Sequence, residues 1–400
     1  MTGYWVCKFW LLDACKRGRF CRALHEITPI DITDVGTLLE NINRGSLSAA
    51  AKSVPNVTWS DDNNDHVFLS SYNWVDEDRP TIYVPGAPSV WTGEQFPFRV
   101  DKDNSNTVER STSRCAKYPF EPLFRSLEIM KPDFDVKNID LVTNRNSLRK
   151  LFKFVSGDAY EPFRIDVQTQ GTVTFLCRWE SELETIAFGS RDSDYGHNFE
   201  KKTTKFDEDL FNSTGHHRVI QYSLGGIQIL VQSEADACFE DNIERGDDSS
   251  YDTIQKLQSS SLHVLKRGRK IQQSAIVELK TKNLGGSKRL DTAIPQLWFS
   301  RTPNCIIGYH DKGEFQYLVN IPVKEEIKSW ESKHANELQM LVCLVNKLRE
   351  FARASENKGC VVVCQLEKPY GARMSVYDSG QKKKVLPDDI VQQNSGTREL

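Results

Sequence analysis

Residues 225–238, GGIQILVQSEADAC, and residues 274–283, SAIVELKTKN, decide how the rest of the chain is read. Each is an apolar, strand-like run that carries two charged side chains at i and i+2. In a strand, such residues face the same side of a sheet. In the first run Ile227, Ile229, Val231 and Ala235 share one face, and Gln228, Gln232, Glu234 and Asp236 share the other. In the second run Ile276, Glu278 and Lys280 share a face, and Ala275, Val277 and Leu279 lie opposite. Three carboxylates and a lysine can thereby converge on one side of a sheet. Such a set binds hard divalent cations and manages phosphate chemistry. The same residues also suit a buried ion-pair cluster in which Lys280 bridges to Glu234 or Asp236, since unpartnered buried charge is costly. Spacing leaves both readings open.

With 400 residues the chain is long enough for more than one domain. Its 52 Lys and Arg against 55 Asp and Glu give a net charge of −3, so any nucleic-acid surface has to be local. No apolar run reaches the length of a bilayer span, and no membrane partner is expected. The opening stretch MTGYWVCKFWLLDACKRGRF does not read as a signal peptide, because FWLL is followed by an acid and a basic cluster. Ten cysteines without such a signal point to thiols or metal in a reducing compartment, nucleus or cytoplasm.

Taken in order, residues 1–27 hold Cys7, Cys15, Cys21 and His25, three thiolates and an imidazole suited to tetrahedral zinc. Their spacing resembles that of the CCCH zinc fingers, which bind single-stranded RNA. Phe9, Trp10 and Phe20 are available for base stacking, and Lys8, Lys16, Arg17, Arg19 and Arg22 for phosphate. A protein-binding finger fits the same residues. Residues 28–65 read as a linker with a short helix over 34–42, then the polar run SDDNND. A main domain is expected over 66–378. VFLSSYNW and TIYVPGAPSVW read as strands, PFEPLFRSLEIM as a helix, and NIDLVTNRNSLRKLFKFV as a strand followed by a helix with Arg145 at the junction. A guanidinium there can meet phosphate, although on spacing alone a surface arginine serves equally. FRIDVQTQGTVTFLCRW reads as a strand pair around Gln170-Gly171, and HVLKRGRK as a local basic cluster. Residues 323–355 read as one long amphipathic helix with Leu338, Leu341, Val342, Val345 and Leu348 on its buried stripe. Cys360 and Cys364 read as core thiols on a strand, and residues 379–400 as a polar tail.

These pieces, in this order, resemble the DXO-type decapping and 5′–3′ exoribonuclease family. The segments FLSSYNW and YVPGAP, the arginine of LVTNR (Arg145), Gly196-His197-Asn198-Phe199-Glu200, Glu234-Ala235-Asp236, Glu278-Leu279-Lys280, and Gln296-Leu297-Trp298-Phe299 followed by Pro303 and Gly308-Tyr309-His310-Asp311 carry the likeness. His197 departs from the family pattern, which has a larger aromatic or aliphatic residue there. The acidic stretch between Asp236 and Glu278 is longer than usual, and the CCCH finger is an addition.

The resemblance implies an α+β fold with mixed central β-sheets flanked by helices, like the PD-(D/E)XK nucleases. It implies that Glu200, Glu234, Asp236 and Glu278, with the Leu279 carbonyl, hold Mg²⁺ or Mn²⁺, while Lys280 orients the water or a phosphate oxygen. Arg145 and Gln296 would contact the nucleotide or its 5′ phosphates. The expected substrate is RNA with a 5′-triphosphate, an incomplete cap or an NAD cap, handled by decapping, pyrophosphohydrolase, deNADding and 5′–3′ exonuclease chemistry in RNA quality control. A 5′–3′ exoribonuclease is the expected protein partner, and the nucleus the expected location. Two other functions fit less of the pattern: a non-catalytic RNA-binding subunit that stabilises an exoribonuclease, and a PD-(D/E)XK nuclease acting on DNA.

Overall fold

The computed structural model describes residues 30–59, 65–103, 108–109, 118–179, 185–186, 195–240, 262–286, 290, 292–367 and 371–395. Alternating runs of apolar residues build two large mixed sheets. In the first, eleven described strands lie in the spatial order Leu38–Ile42, Gly371–Asp378, Gly359–Glu367, Phe163–Gln170, Val173–Arg178, Leu141–Asn144, Ile227–Ala235, Ser213–Leu224, His66–Val75, Thr81–Gly86, His263–Gly268. The second has seven, in the order Thr204–Lys205, Val90–Trp91, Ala237–Cys238, Ile276–Asn283, Asn304–Asp311, Glu314–Pro322, Phe98–Arg99. Both sheets mix parallel and antiparallel pairs. Ile227–Ala235 runs parallel to Leu141–Asn144, and Ile276–Asn283 parallel to Asn304–Asp311.

Helices cover the first sheet on both faces. Leu148, Leu151 and Phe152 of the Arg145–Val155 helix join Leu341, Val345 and Leu348 of the Ala335–Ala354 helix over Ile220, Ile229 and Val231. Leu123, Phe124 and Leu127 of the Glu121–Met130 helix pack over Val142, Val219 and Leu230. An apolar side chain buried in either layer stabilises the fold by roughly 1.5–3 kcal/mol. Cys360 and Cys364 are free, buried thiols on the Gly359–Glu367 strand, as expected of core residues.

Three segments differ from the sequence expectations. The helix expected over 34–42 is instead the strand Leu38–Ile42, paired with Gly371–Asp378, and the helix follows at Arg44–Ala51. Asn43 caps that helix by accepting from the Ser46 amide. The long helix breaks at His334 into Lys324–Lys333 and Ala335–Ala354. Tertiary packing decides the break. Trp330 packs on Phe152, the His334 ring stacks on Trp330, and Glu331 accepts from Trp298 Nε1 at 2.5 Å. Beyond Ser379 the chain folds back. Val385, Leu386 and Ile390 are buried beneath the Glu121–Met130 helix cluster, and Asp389 meets Arg125 at 2.6 Å. A few apolar residues in a polar stretch suffice once a groove receives them.

Candidate active site

The two opening stretches meet where the two sheets join. The strand Ile227–Ala235 ends in the first sheet, Asp236 is the junction, and Ala237–Cys238 pairs with Ile276–Val277 in the second. The alternation that buries Ile229 and Val231 therefore delivers Asp236 beside the strand that carries Glu278 and Lys280. Asp236 Oδ2 accepts from the Leu279 amide at 2.8 Å, and its carbonyl accepts from Ser89 Oγ at 2.8 Å.

Glu278 is the centre of the arrangement, with 1% of its side chain exposed. Its Oε1 accepts from Lys280 Nζ and from Gln296 Nε2, and its Oε2 meets Arg145 Nη1 at 3.3 Å. Lys280 thus pairs with its own strand neighbour rather than with Glu234 or Asp236. Arg145 is no free surface arginine. It opens the helix that follows Leu141–Asn144, whose cap Asn144 accepts from the Ser147 amide at 2.8 Å. Gln296 comes from the Ile294–Ser300 helix, held by buried Leu297 and Trp298.

Glu200 arrives by a separate route. Phe199 precedes it in the Gly196–Thr203 helix and stacks on Phe315 with ring centroids 4.6 Å apart. Gly308 makes this seating possible, since a Cβ there would lie 2.6 Å from the Phe199 ring. Glu234, one residue before the end of its strand, is exposed and stands opposite His217 in the ladder. A Cβ on Gly215 would lie 2.7 Å from Glu234 Oε1, so the glycine leaves that carboxylate its room.

The charges act strongly on one another. Burial, then Asp236, raise the Glu200 carboxyl well above its ordinary value, with Glu234 and Glu278 adding to the effect. Burial and Glu278 push Asp236 up to about 8. Burial would also raise Glu278, but Lys280 and Arg145 outweigh it and bring it down to about 2. Lys280 is raised, because Glu278 and Asp236 overcome its burial. One ionised carboxylate held by cations thus sits beside carboxyls that resist ionising together.

Among the described residues no three His, Cys, Asp or Glu side chains converge as ligands of one ion. The cause is visible in the contacts, since Glu278 is taken up by Lys280, Arg145 and Gln296, and Asp236 by the Leu279 amide. The donor chemistry nevertheless fits a hard divalent cation, because oxygen-only acids that raise one another's pKa are relieved by such a charge. Cys7, Cys15, Cys21 and His25 lie outside the described residues.

Three neighbours of the site are not singled out by the sequence patterns. Ser89 fixes the Asp236 backbone. His217 stacks on Tyr72 at 5.1 Å and is lowered to about 4 by burial and by Arg145, so its ring is neutral. Arg149 lies one helical turn beyond Arg145 and feels both Arg145 and Glu278. Of these, only Arg149 has a sequence signal, the i, i+4 arginine pair in RNSLRK.

The comparisons with known proteins follow this geometry. A family model described as "Domain of unknown function (DUF8563)" matches residues 51–394. Comparison with curated protein sequences finds no match. Among solved structures, Scheffersomyces stipitis Rai1 in complex with (3′-NADP)+ and calcium ion is similar with a TM-score of 0.59 at 12% identity, over 92% of this chain and 100% of that one. Candida albicans Rai1 in complex with pU5-Mn2+ is similar with a TM-score of 0.51 at 14% identity, over 86% and 99%. A mutant S. pombe Rai1 in complex with 3′-FADP is similar with a TM-score of 0.51 at 11% identity, over 82% and 97%. At such identities the likeness is one of fold: mixed sheets flanked by helices, along nearly the whole of each relative.

Proposed function

The chain belongs to the family described as a domain of unknown function, DUF8563, and from the geometry of its site we propose that it is a metal-dependent hydrolase of RNA 5′ ends. The observation that carries this reading is Glu278, a buried carboxylate gripped at once by Lys280, Arg145 and Gln296 beside the junction residue Asp236. A structural ion pair needs one cation and gains nothing from raised carboxyls next to it. A phosphate-processing site needs both signs together. The fold likeness to Rai1 proteins bound to pU5-Mn2+ and to (3′-NADP)+ with calcium supports nucleotide ends as the ligand class.

Glu200, Glu234, Asp236 and Glu278 would hold Mg²⁺ or Mn²⁺, with the Leu279 carbonyl as a further oxygen. Bound there, such an ion activates water and neutralises charge that builds on phosphate. The protein's own groups do the rest. Arg145 and Gln296 hold phosphate oxygens. Lys280, kept protonated by Glu278 and Asp236, orients the attacking water or a non-bridging oxygen. Asp236 keeps its aim through the Leu279 amide and Ser89. The substrates would be RNA with a 5′-triphosphate, an incomplete cap or an NAD cap, and 5′–3′ digestion would follow from the same site. A CCCH zinc finger at Cys7, Cys15, Cys21 and His25, nuclear residence and an exoribonuclease partner complete the proposal.

The test incubates purified protein with 5′-triphosphate, NAD-capped and 5′-monophosphate RNA, and with DNA, in Mg²⁺ or Mn²⁺. A Glu234→Ala/Asp236→Ala variant runs alongside. Metal-dependent products from RNA that the variant does not form are expected. Binding without products would favour the non-catalytic subunit, and products from DNA alone the DNA nuclease. For the finger, Cys15→Ser protein is expected to lose zinc measured by elemental analysis, and unchanged stoichiometry refutes the site.

A further inference from the structure

A second cleft opens at the far end of the strand whose last residue precedes Arg145. The turn Val136–Asn138 and Asp140 lead into the strand Leu141–Asn144 at its start, and Arg145 leaves it at its end. The cleft at the starting end holds about 500 Å³, a volume typical of small-molecule sites. It is framed by Lys137, by the Gly171-Thr172 hairpin turn, by Arg353 in the last turn of the Ala335–Ala354 helix, and by Lys358 in the turn that follows. Its charge is one-sided. Lys137, Arg353 and Lys358 line it, and Asp140 is the one carboxylate among the described lining residues. Asp140 is already engaged, since Oδ1 meets Arg349 Nη2 and Oδ2 accepts from the Gln228 amide at 3.0 Å. Asp135, beside Lys137, accepts from the Lys137 amide and from Asn138 Nδ2. Two of the lining cations are held by carbonyls and not by acids. Arg353 Nη2 donates to the Thr172 carbonyl at 3.1 Å, and Lys358 Nζ donates to the Arg353 carbonyl at 3.0 Å. Among the described residues none of the three cations has a salt bridge. In a chain of net charge −3, that is a local excess of positive charge with an orientation fixed by the backbone.

Lys358 sharpens the point. Its φ of 54° lies in the left-handed region, which is costly for any side chain and favours glycine. The turn demands that conformation, because the Lys358 amide donates to the Ser355 carbonyl at 3.1 Å and the Lys358 carbonyl accepts from the Thr169 amide at 2.7 Å. Glycine would meet the demand at less cost, so the turn does not account for the lysine. We propose that this cleft is a second binding site, for a small phosphorylated ligand, with Lys137, Arg353 and Lys358 around the phosphate. Lysine supplies a point charge for phosphate oxygens and arginine a planar fork. Framed by a turn, a hairpin and a helix end, the cleft takes one compact ligand and not a run of polymer. The recognised chemistry is a phosphate group, either carried by a nucleoside or free in solution. The length of the strand Leu141–Asn144 separates this cleft from the carboxylate cluster, and the inference rests on no reading of that cluster.

The test titrates inorganic phosphate, adenosine 5′-monophosphate and adenosine calorimetrically into the full chain in metal-free buffer. Lys358→Gly, Arg353→Met and, at the other end of the strand, Arg145→Met are compared with the wild type. The wild type is expected to bind phosphate and the monophosphate but not adenosine. Lys358→Gly and Arg353→Met should each lose at least about tenfold in affinity, whereas Arg145→Met should shift it less than about twofold. Lys358→Gly relieves the left-handed backbone, so its melting temperature should hold or rise, and its loss of binding is then not a loss of fold. Tighter binding of the monophosphate than of phosphate supports the site with a nucleotide as its ligand, and equal affinities support it with free phosphate. Adenosine bound as tightly as its monophosphate overturns the proposal. So does a wild type that binds neither phosphate nor the monophosphate, or an affinity that ignores both Lys358 and Arg353. A loss confined to Arg145→Met places the phosphate at the carboxylate cluster and overturns the second site.

Discussion

Among the described residues, two of the clusters of acids and cations are built to opposite rules. One lies around Arg164 in the strand Phe163–Gln170. Arg164 meets Asp34 at 2.6 Å and Asp166 at 2.8 Å, and Lys383 meets Asp34 at 3.3 Å and Asp166 at 2.5 Å. Two cations face two carboxylates in a closed square, and hydrogen bonding from Arg164 holds the Asp34 carboxyl far below its ordinary value. The other cluster surrounds Glu278. There one carboxylate is over-supplied with cations, while burial and Glu278 push Asp236 up, and burial and Asp236 push Glu200 up. The first cluster is satisfied by the protein alone and ties residues 31–34 and Lys383 to the strand Phe163–Gln170. The second gathers Lys280, Arg145 and Gln296 on Glu278 and leaves raised carboxyls beside it. A balanced network is a clamp for the fold, and an unbalanced one is a place for chemistry.

Mutations separate the two most sharply through activity. Glu234→Ala/Asp236→Ala is expected to cut RNA 5′-end hydrolysis by at least about a thousandfold, the scale of losing several kcal/mol of transition-state stabilisation. Its melting temperature should not fall, because mutual repulsion among the acids is relieved. Single-turnover assays and thermal denaturation of the same preparation check both halves. A stability loss equal to that of a core substitution would place this cluster in the same class as the first.

The converse substitution, Asp34→Ala, leaves the fully buried Arg164 with the Asp166 carboxylate and the Asp31 carbonyl. Breaking a buried pair costs about 3–5 kcal/mol. Asp34 is partly exposed and Asp166 remains, so a loss of about 2 kcal/mol by chemical denaturation is expected. Hydrolysis by the folded protein should be unchanged.

The pH dependences have opposite signs. Asp236 has a folded value raised to about 8. The folded state therefore binds the proton more tightly than the unfolded chain, whose value is about 3.9. That contribution is full below about pH 3.9 and is lost as pH rises through about 8. In metal-free buffer the melting temperature should drift down between about pH 4 and 8, and Asp236→Asn should flatten the drift. Mn²⁺ should restore more stability at the alkaline end, where it no longer competes with a proton. Asp34 has a lowered value, so its contribution is present above about pH 3.9 and fades as pH falls below that. A melting profile that ignores Mn²⁺ at every pH would remove the cation from the site.

Much of this was legible without coordinates, and the reason is local. The period-two runs of 225–238 and 274–283 are strands because alternate residues must meet a core on one side, and those runs carry the carboxylates. The hairpin around Gln170-Gly171, the helix from Arg145 and the buried stripe Leu338 to Leu348 follow from spacing of the same kind. The break at His334 was not legible, because it depends on Trp330 finding Phe152 from another helix. Nor was the return of the chain beyond Ser379, which depends on a groove made by the distant Glu121–Met130 helix and the strands beneath it.

The sequence by itself determined which side chains could share a face, since side-chain direction alternates along any strand and repeats along any helix. It could not determine which cation Glu278 would keep, because ion pairing depends on distances across elements far apart in the chain. Only the tertiary structure brought Arg145 from the start of one helix, Gln296 from another helix and Lys280 from the same strand onto one carboxylate. It also turned the chain from the first sheet into the second at Asp236. Burial there weakens water's screening, and that is what turns a few ordinary acids and bases into a strongly coupled charged cluster.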